Sequence, residues 1–570
     1  MRSWVDLCIH NHGTKCEPND TKTMLPAEFR AIDTNLFCVV ELPSSPTPRF
    51  VALSYRWDPP SGTKRLQLEQ ANLAKLRQRG ALASNDTPAL FLDVIRLCRD
   101  LGEPCLWIDQ ICIVQDDHIS KQSQIQAMDR IYAMATFTIV IALQGSSSSG
   151  LPGVKGRPRR SSLWNTTRVF SDKSRVLHSN FHNTVTNSVW NTRGWTFQEL
   201  SLSLRCIYIT EFQTYFSCIR TCEQEELGEI AATPKLAPYS IATYAHTVNE
   251  YTSRNLSFES DILNVFAGVG NQFVRTQGGR LLYGLPEKYL TQALLWENFE
   301  STQRRKDVPD IPSWSWAAWS GRTGYDSNPS VQNMRVGTPV RFSFQHPDLG
   351  LCSLDTDECW FSTAMSLKNL KKLPSIDELY PKMRFMPGSD STNAVWSDCP
   401  HNPWETSTRT IDRDACKLAS KYPGGLVFTS TTAFLSLRVR QSPQDSRFPN
   451  SSRLDIVDDN GVEAGQTVWM DRPWIVAEFD LAKKHEFVVL SAGVLSEFEM
   501  YALLNLGPQT SRQSGNENGH GLQDAGLWYL HVVLIERDVS DRVARRVGVG
   551  AIKTGCWKQC NPTWSTVVLT

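Results

Sequence analysis

Four short apolar runs, with helix-period stretches between them, constrain the fold of this chain more than any other feature of its sequence. They are Arg49-Phe50-Val51-Ala52-Leu53-Ser54-Tyr55, Cys105-Leu106-Trp107-Ile108-Asp109, Thr136-Phe137-Thr138-Ile139-Val140-Ile141-Ala142-Leu143, and residues 204–209. Continuous runs of this kind suit strands covered on both faces, where an alternating pattern would suit strands with one wet face. Between the first two runs, Leu90, Phe91, Val94, Ile95, Leu97 and Cys98 recur at helical spacing. Thr87-Pro88 supplies an N-cap and a proline at the first helical position, and Gly102 ends the stretch. Ser120 is placed to cap a second helix with Ile125, Met128, Ile131, Tyr132 and Ala135 on one face. Strands that alternate with helices in this way form βαβ units, so the spacing predicts an α/β domain with a parallel sheet and helices on both faces.

At 570 residues the chain exceeds the size at which a single core keeps growing. The expected division is an N-terminal Cys/His-containing segment over 1–49 and the α/β domain over 50–210, with an insertion at about 144–187. A helical extension over 211–330, ending in a tryptophan-rich block, and a β-rich region over 331–570 complete it. Strand patterns at 468–479, 486–491, 528–536 and 547–552 carry the last assignment, and the polar, glycine-bearing stretch 510–523 reads as a loop.

The 59 basic and 59 acidic residues cancel, which argues against a general electrostatic grip on nucleic acid or anionic membrane. The basic run Arg157-Pro158-Arg159-Arg160 reads as a solvated loop. No apolar run reaches the ~18–20 residues of a membrane span. The N-terminal residues lack the pattern of a signal peptide. The expected location is therefore the cytoplasm, with the 15 cysteines as reduced thiols.

Three blocks in order, residues 51–57, 106–117 and 193–205, resemble the fungal heterokaryon incompatibility (HET) family. Val51-Ala52-Leu53-Ser54-Tyr55-Arg56-Trp57 is similar to the family's opening block, with Asp58 where glycine is usual. Leu106-Trp107-Ile108-Asp109-Gln110-Ile111-Cys112-Ile113-Val114-Gln115-Asp116-Asp117 resembles the second, with Val114 in place of an aspartate. Arg193-Gly194-Trp195-Thr196-Phe197-Gln198-Glu199 followed by Leu202-Ser203-Leu204-Arg205 resembles the third, with Leu204 in place of proline. Asp261-Ile262-Leu263, the block Pro312-Ser313-Trp314-Ser315-Trp316-Ala317-Ala318-Trp319 and Arg546-Val547-Gly548-Val549-Gly550 extend the likeness along the chain.

The resemblance implies a part in non-self recognition and regulated cell death, with self-association or an incompatible-allele protein as partner. It also implies a TIR-like, flavodoxin-like sheet, and some TIR domains cleave NAD with a glutamate four residues after a tryptophan. Trp195 and Glu199 have that spacing, about one helical turn, which puts indole and carboxylate on one face. On this reading Glu199 is the catalytic residue, and Tyr55, Arg56, Asp109, Arg193 and Trp195 line the substrate site. NAD would then be a substrate, and no resident cofactor is assigned. Five of the six also have a plainer role: a surface ion pair for Arg56, a turn cap for Asp109, a salt bridge for Arg193, core packing for Trp195 and a place in a first helical turn for Glu199. Two other functions remain in competition, a non-catalytic signalling module and a degenerate regulator in secondary metabolism.

Cys8, His10, His12 and Cys16 form a compact cluster of zinc-ligand type. With no second Cys pair at a familiar spacing, no metal is assigned and these four stand as the alternative. Cys218 and Cys222, like Cys556 and Cys560, lack histidines nearby in sequence and read as buried or free thiols. Trp314 and Trp316 alternate with small residues, which predicts a strand packing both rings into a core, in preference to a stacking platform.

Overall fold

The computed structural model describes residues 1–17, 24–43, 49–57, 66–144, 150–154, 156–159, 181–225, 228–229, 240–299, 302–325, 336–337, 340–354, 356, 411–439, 453–470, 483–495, 527–538, 540 and 542–570. They form two compact units, Met1–Ala237 with Arg254–Val269, and Pro238–Ser253 with Gly270–Thr570.

The first unit is built on nine strands: β1 (Arg30–Asp33), β2 (Cys38–Glu41), β3 (Val51–Ser54), β4 (Cys105–Trp107), β5 (Thr138–Ile141), β6 (Arg205–Ile209), β7 (Thr214–Cys218), β8 (Cys222–Gln224) and β9 (Gly228–Glu229). Their order is β2-β1-β4-β3-β5-β6-β7-β8-β9. The four apolar runs of the sequence are the four central strands, and β4-β3-β5-β6 pair in parallel. The sheet as a whole is mixed, which corrects the expectation of a parallel one. Antiparallel strands flank the core, β1 and β2 on one side and β7 to β9 on the other.

The reason lies in the turns. Asp33 Oδ1 accepts from the N–H groups of Asn35 at 2.9 Å and Leu36 at 2.8 Å, closing the β1–β2 hairpin. The Thr210 hydroxyl oxygen accepts from Phe212 and Gln213, both at 3.2 Å, between β6 and β7. Connections this short return a strand antiparallel, because a parallel neighbour needs a crossover of a dozen residues or more.

The helix after β3 runs Ala89–Asp100 and buries Leu90, Phe91, Val94, Ile95 and Cys98, as its spacing predicts. Its N-cap is Pro88, with no side-chain hydrogen bond, so Thr87 does not cap it. The single Ser120-capped helix is instead two, His118–Gln126 and Met128–Met134. Asp117 is the cap, its carboxylate accepting from Ile119 and Ser120 backbone N–H groups at 3.1 and 3.0 Å. Asp117→Ala should therefore cost ~1 kcal/mol of stability, read as a lowered urea midpoint with an unchanged slope. An unaltered midpoint would mean that solvent already serves those two donors.

In the second unit, Ile241–Thr252 is helical from a Ser240–Thr243 capping box. The expected β-rich region is a ten-stranded sheet, antiparallel except where 544–553 meets 563–569. Strands His485–Leu495, Leu527–Arg537 and Ala544–Lys553 contain three of the four predicted segments. The fourth is strand as far as Met470, and 471–479 lie outside the described residues, as do 510–523. Leu435, Leu454, Phe487, Val532 and Trp557 are among the residues of its core.

The tryptophan block is not the predicted strand. The Ser315 hydroxyl oxygen accepts from Ala317 N–H at 3.0 Å and starts a 3₁₀ turn, Trp316–Ala318. Trp314 and Trp316 are nonetheless fully buried.

Much of the expected insertion, 145–149, 155 and 160–180, lies outside the described residues. Arg157 pairs with the buried Asp93 carboxylate and Arg159 with Glu225 at 2.7 Å, so these two arginines are engaged with the domain. Among the described residues, no helix is long and apolar enough to cross a membrane.

Candidate active site

Ser54 ends β3, and its hydroxyl donates to Glu199 Oε2 while accepting from the Trp190 indole N–H at 2.8 Å. Asp109 lies just beyond β4, as the first residue of a short helical turn, Asp109–Cys112. One of its oxygens accepts from Gln110 N–H at 2.7 Å, and the other from the Trp57 indole N–H at 2.9 Å. The Tyr55 hydroxyl donates to Gln110 Oε1 at 3.0 Å, and the Tyr132 hydroxyl to the Leu53 carbonyl at 3.2 Å. Both carboxylates thus sit at the carboxyl ends of parallel strands, where open α/β sheets place their ligands.

Glu199 is held there by the helix Gly194–Leu202. Gly194 starts that helix with its N–H donating to the Asn255 carbonyl at 2.8 Å, and Asn255 N–H donates to the Thr192 carbonyl at 2.7 Å. A Cβ at Gly194 would come within 2.3 Å of the Leu256 Cδ2 methyl, so a larger residue here would have to displace that side chain. Arg254 lies over the Phe197 ring at 5.0 Å and donates to Asn191 Oδ1 at 2.6 Å. Glu199 falls in the second turn of the helix, so the stabilisation of anions in a first turn does not reach it.

Glu199 is 6% exposed. Burial is the main cause that pushes its carboxyl up to about 7, and the negative charge of Asp109 adds to it. The hydrogen bond from Ser54 and the positive charge of Arg193 oppose the rise. Asp109 is likewise pushed up to about 6, first by burial, against the Gln110 N–H, the Trp57 indole and Arg193. Tyr55 is raised by burial and then by the charge of Asp109. A carboxyl group poised near neutrality is ionised in an appreciable fraction at pH 7 and is then a better proton acceptor than an ordinary carboxylate.

Tyr55, Asp109, Arg193 and Glu199 therefore share one electrostatic neighbourhood. Arg56 is half-buried beside Tyr55, and Trp195 is half-buried one turn before Glu199. Asp109 also makes the turn-capping hydrogen bond of its plainer reading. Ser54, Trp57, Gln110, Tyr132 and Trp190 complete the network without having been singled out from the sequence. The signal for Ser54 was a short polar residue ending a fully buried strand. His10 is exposed, with its Nδ1–H donating to the Asp6 carbonyl at 2.6 Å, apart from the other three members of its cluster.

Residues 50–199 match the model of the heterokaryon incompatibility protein (HET) family. Over 110 residues the chain is 36% identical to heterokaryon incompatibility protein 6, OR allele, of Neurospora crassa, which covers 18% of this chain and 15% of that protein. The chain thus spans about 15% of the length of the curated relative it matches. No solved structure matches. The matched interval begins at Phe50 before β3 and ends on Glu199, so it spans the central strands β3 to β5 and both carboxylates, and residues 50–199 are a HET domain.

Proposed function

We propose that this is a fungal non-self-recognition protein whose HET domain drives regulated cell death by hydrolysing NAD or a related nucleotide. The observation that supports the reading best is the buried Glu199 with the half-buried Asp109 at the carboxyl edge of the parallel strands, both poised near neutrality. In such a reaction the bond between ribose C1′ and the nicotinamide nitrogen breaks, and nicotinamide leaves with the bonding electrons as a neutral base. Water adds to C1′ and releases a proton. Glu199 would stabilise the positive charge developing on the ribose, and Asp109 would take the proton from water. Arg193 and Arg56 would meet phosphate, while Trp195 and Tyr55 would flank the leaving ring. One observation favours the competing reading of a domain that signals by binding alone: Glu199 is nearly inaccessible and already accepts from Ser54.

Expression of the chain beside its Glu199→Gln variant separates the two. The proposal expects cellular NAD to fall before viability does, and both effects to disappear in the variant. Death that persists in the variant with NAD unchanged would leave binding as the function.

A further inference from the structure

We propose that Cys8, His12, Cys16 and Cys218 form a structural zinc site that fastens the N-terminal helix to the sheet. The sequence sets three of these residues four apart. The helix Arg2–His12 and the 3₁₀ turn Gly13–Cys16 stack them along one side, with Gly13 at φ 52° where the helix ends. Cys218 closes β7. One donor atom from each of the four lies within 4.8 Å of the other three. The His12 Nδ1 is 3.4 Å from Cys218 Sγ and 3.8 Å from Cys16 Sγ. Zinc bonds of ~2.3 Å to sulfur and ~2.0–2.1 Å to nitrogen, set at tetrahedral angles, separate such donors by roughly 3.4–3.8 Å. The two His12 separations match that geometry, the four donors all lie within 4.8 Å of one another, and three thiolates with one imidazole favour zinc over hard cations such as magnesium or calcium.

The surroundings support the same assignment. Backbone N–H groups of Arg220 and Thr221 both lie 3.3 Å from Cys218 Sγ and donate to it, as outer-shell donors to a metal-bound thiolate do. Arg205 is buried, and its Nε–H donates to Cys8 Sγ at 3.2 Å. Its other hydrogen bonds run to the carbonyls of Thr136 at 3.1 Å and Cys16 at 2.7 Å, so no carboxylate is among these partners. A buried guanidinium needs a counter-charge. Three thiolates and one Zn²⁺ sum to a single negative charge, and Arg205 lies against it. Arg205 is the register partner of Cys218 across β6 and β7, at the amino end of β6. The site is thus at the opposite edge of the sheet from the carboxylates, with four protein ligands and no open position, as suits a structural ion. Sequence spacing concealed it, because His12 and Cys218 are 206 residues apart.

Native mass spectrometry and elemental analysis of the full chain, purified with zinc present, provide the test. About one zinc per chain is expected. It should be lost in Cys218→Ser and His12→Ala and kept in His12→Cys, where a thiolate replaces the imidazole. Cys222→Ser, altered at a thiol outside the cluster, should keep it as well. Cobalt loaded in place of zinc should give the intense visible bands of a tetrahedral ion together with thiolate charge transfer. If the variants fail to fold, the wild-type stoichiometry and the cobalt spectrum decide. A folded wild-type chain without metal overturns the proposal, as do Cys8, Cys16 or Cys218 found in disulfides, or zinc that survives in both Cys218→Ser and His12→Ala.

Discussion

Glu199→Gln is expected to stabilise the folded chain above pH 7 while removing the nucleotide cleavage proposed above. The carboxyl titrates at about 7 in the folded chain against an ordinary 4.5, so between those values the folded state binds the extra proton. Stability then falls as pH rises through that window, because the unfolded chain is already ionised while the folded chain is not. Below the window both states are protonated and nothing is lost. Above it the folded chain carries the whole burden of a buried charge. At ~1.4 kcal/mol for each tenfold change in proton affinity, that burden is on the order of 3–4 kcal/mol. Glutamine keeps the volume and an acceptor for Ser54 and cannot ionise, so the variant should lack this part of the slope. Asp109 slopes in the same direction, since its value is also raised, and it remains in the variant.

Urea unfolding at pH 5.5 and pH 8 measures the difference. The variant should gain relative to wild type on going to the higher pH. Loss of a residue that acts as acid, base or electrostatic stabiliser typically lowers turnover by ~10²–10⁴-fold. Gain of stability with loss of activity is the mark of a group retained for function. A variant that is destabilised at pH 8 and still cleaves nucleotide would sink the assignment.

Trp316→Ala is expected to leave little soluble full-length protein. The ring is fully buried, its N–H donates to the Tyr244 hydroxyl at 3.1 Å, and it packs edge-on to Tyr251 at 5.9 Å. Trp314 is equally buried, donating to the Gly424 carbonyl at 3.2 Å, while its own carbonyl accepts from Trp296 at 2.8 Å. A buried tryptophan removes ~150–250 Å² from water, and truncation to alanine costs ~3–5 kcal/mol. Total stabilities run to only ~5–15 kcal/mol, so either change is a large fraction of the whole. Trp314→Ala should behave alike, and any molecules that do fold should keep Glu199-dependent chemistry without a specific defect. Soluble yield and thermal midpoint are the readouts. Both variants fully soluble with unchanged midpoints would show the rings to be dispensable to the core and would favour a ligand-binding platform.

The central strands were legible because β3 to β6 are covered on both faces and so must be continuously apolar. The flanking strands were not, since β1 and β2 owe their direction to a tight turn whose hydrogen bonds the Asp33 carboxylate accepts. The tryptophan block shows the same limit in another form. Alternation identified what is buried, but the Ser315 hydroxyl diverts the backbone into a turn that alternation cannot reveal. In the site, Asp109 and Glu199 stood out as carboxylates in conspicuous blocks. Ser54 and Trp190, which join them to the sheet, are 136 residues apart, and no local pattern relates them.

The tether on Gly194 bears on what would travel if this domain were moved into another protein. The family match stops at Glu199, yet the strand-like clasp on that helix comes from Asn255, and the packing on Phe197 from Arg254. Both belong to a stretch, Arg254–Val269, that the chain reaches only after a sixteen-residue excursion, Pro238–Ser253, into the other unit. The domain is therefore not encoded as one uninterrupted cassette. A recombination breakpoint placed anywhere in that excursion would carry off the strands and both carboxylates and leave the fastening of the Glu199 helix behind. Exchange would keep the whole of this unit only with a breakpoint beyond residue 269, since β1 and β2 tie residues before 50 into the same sheet.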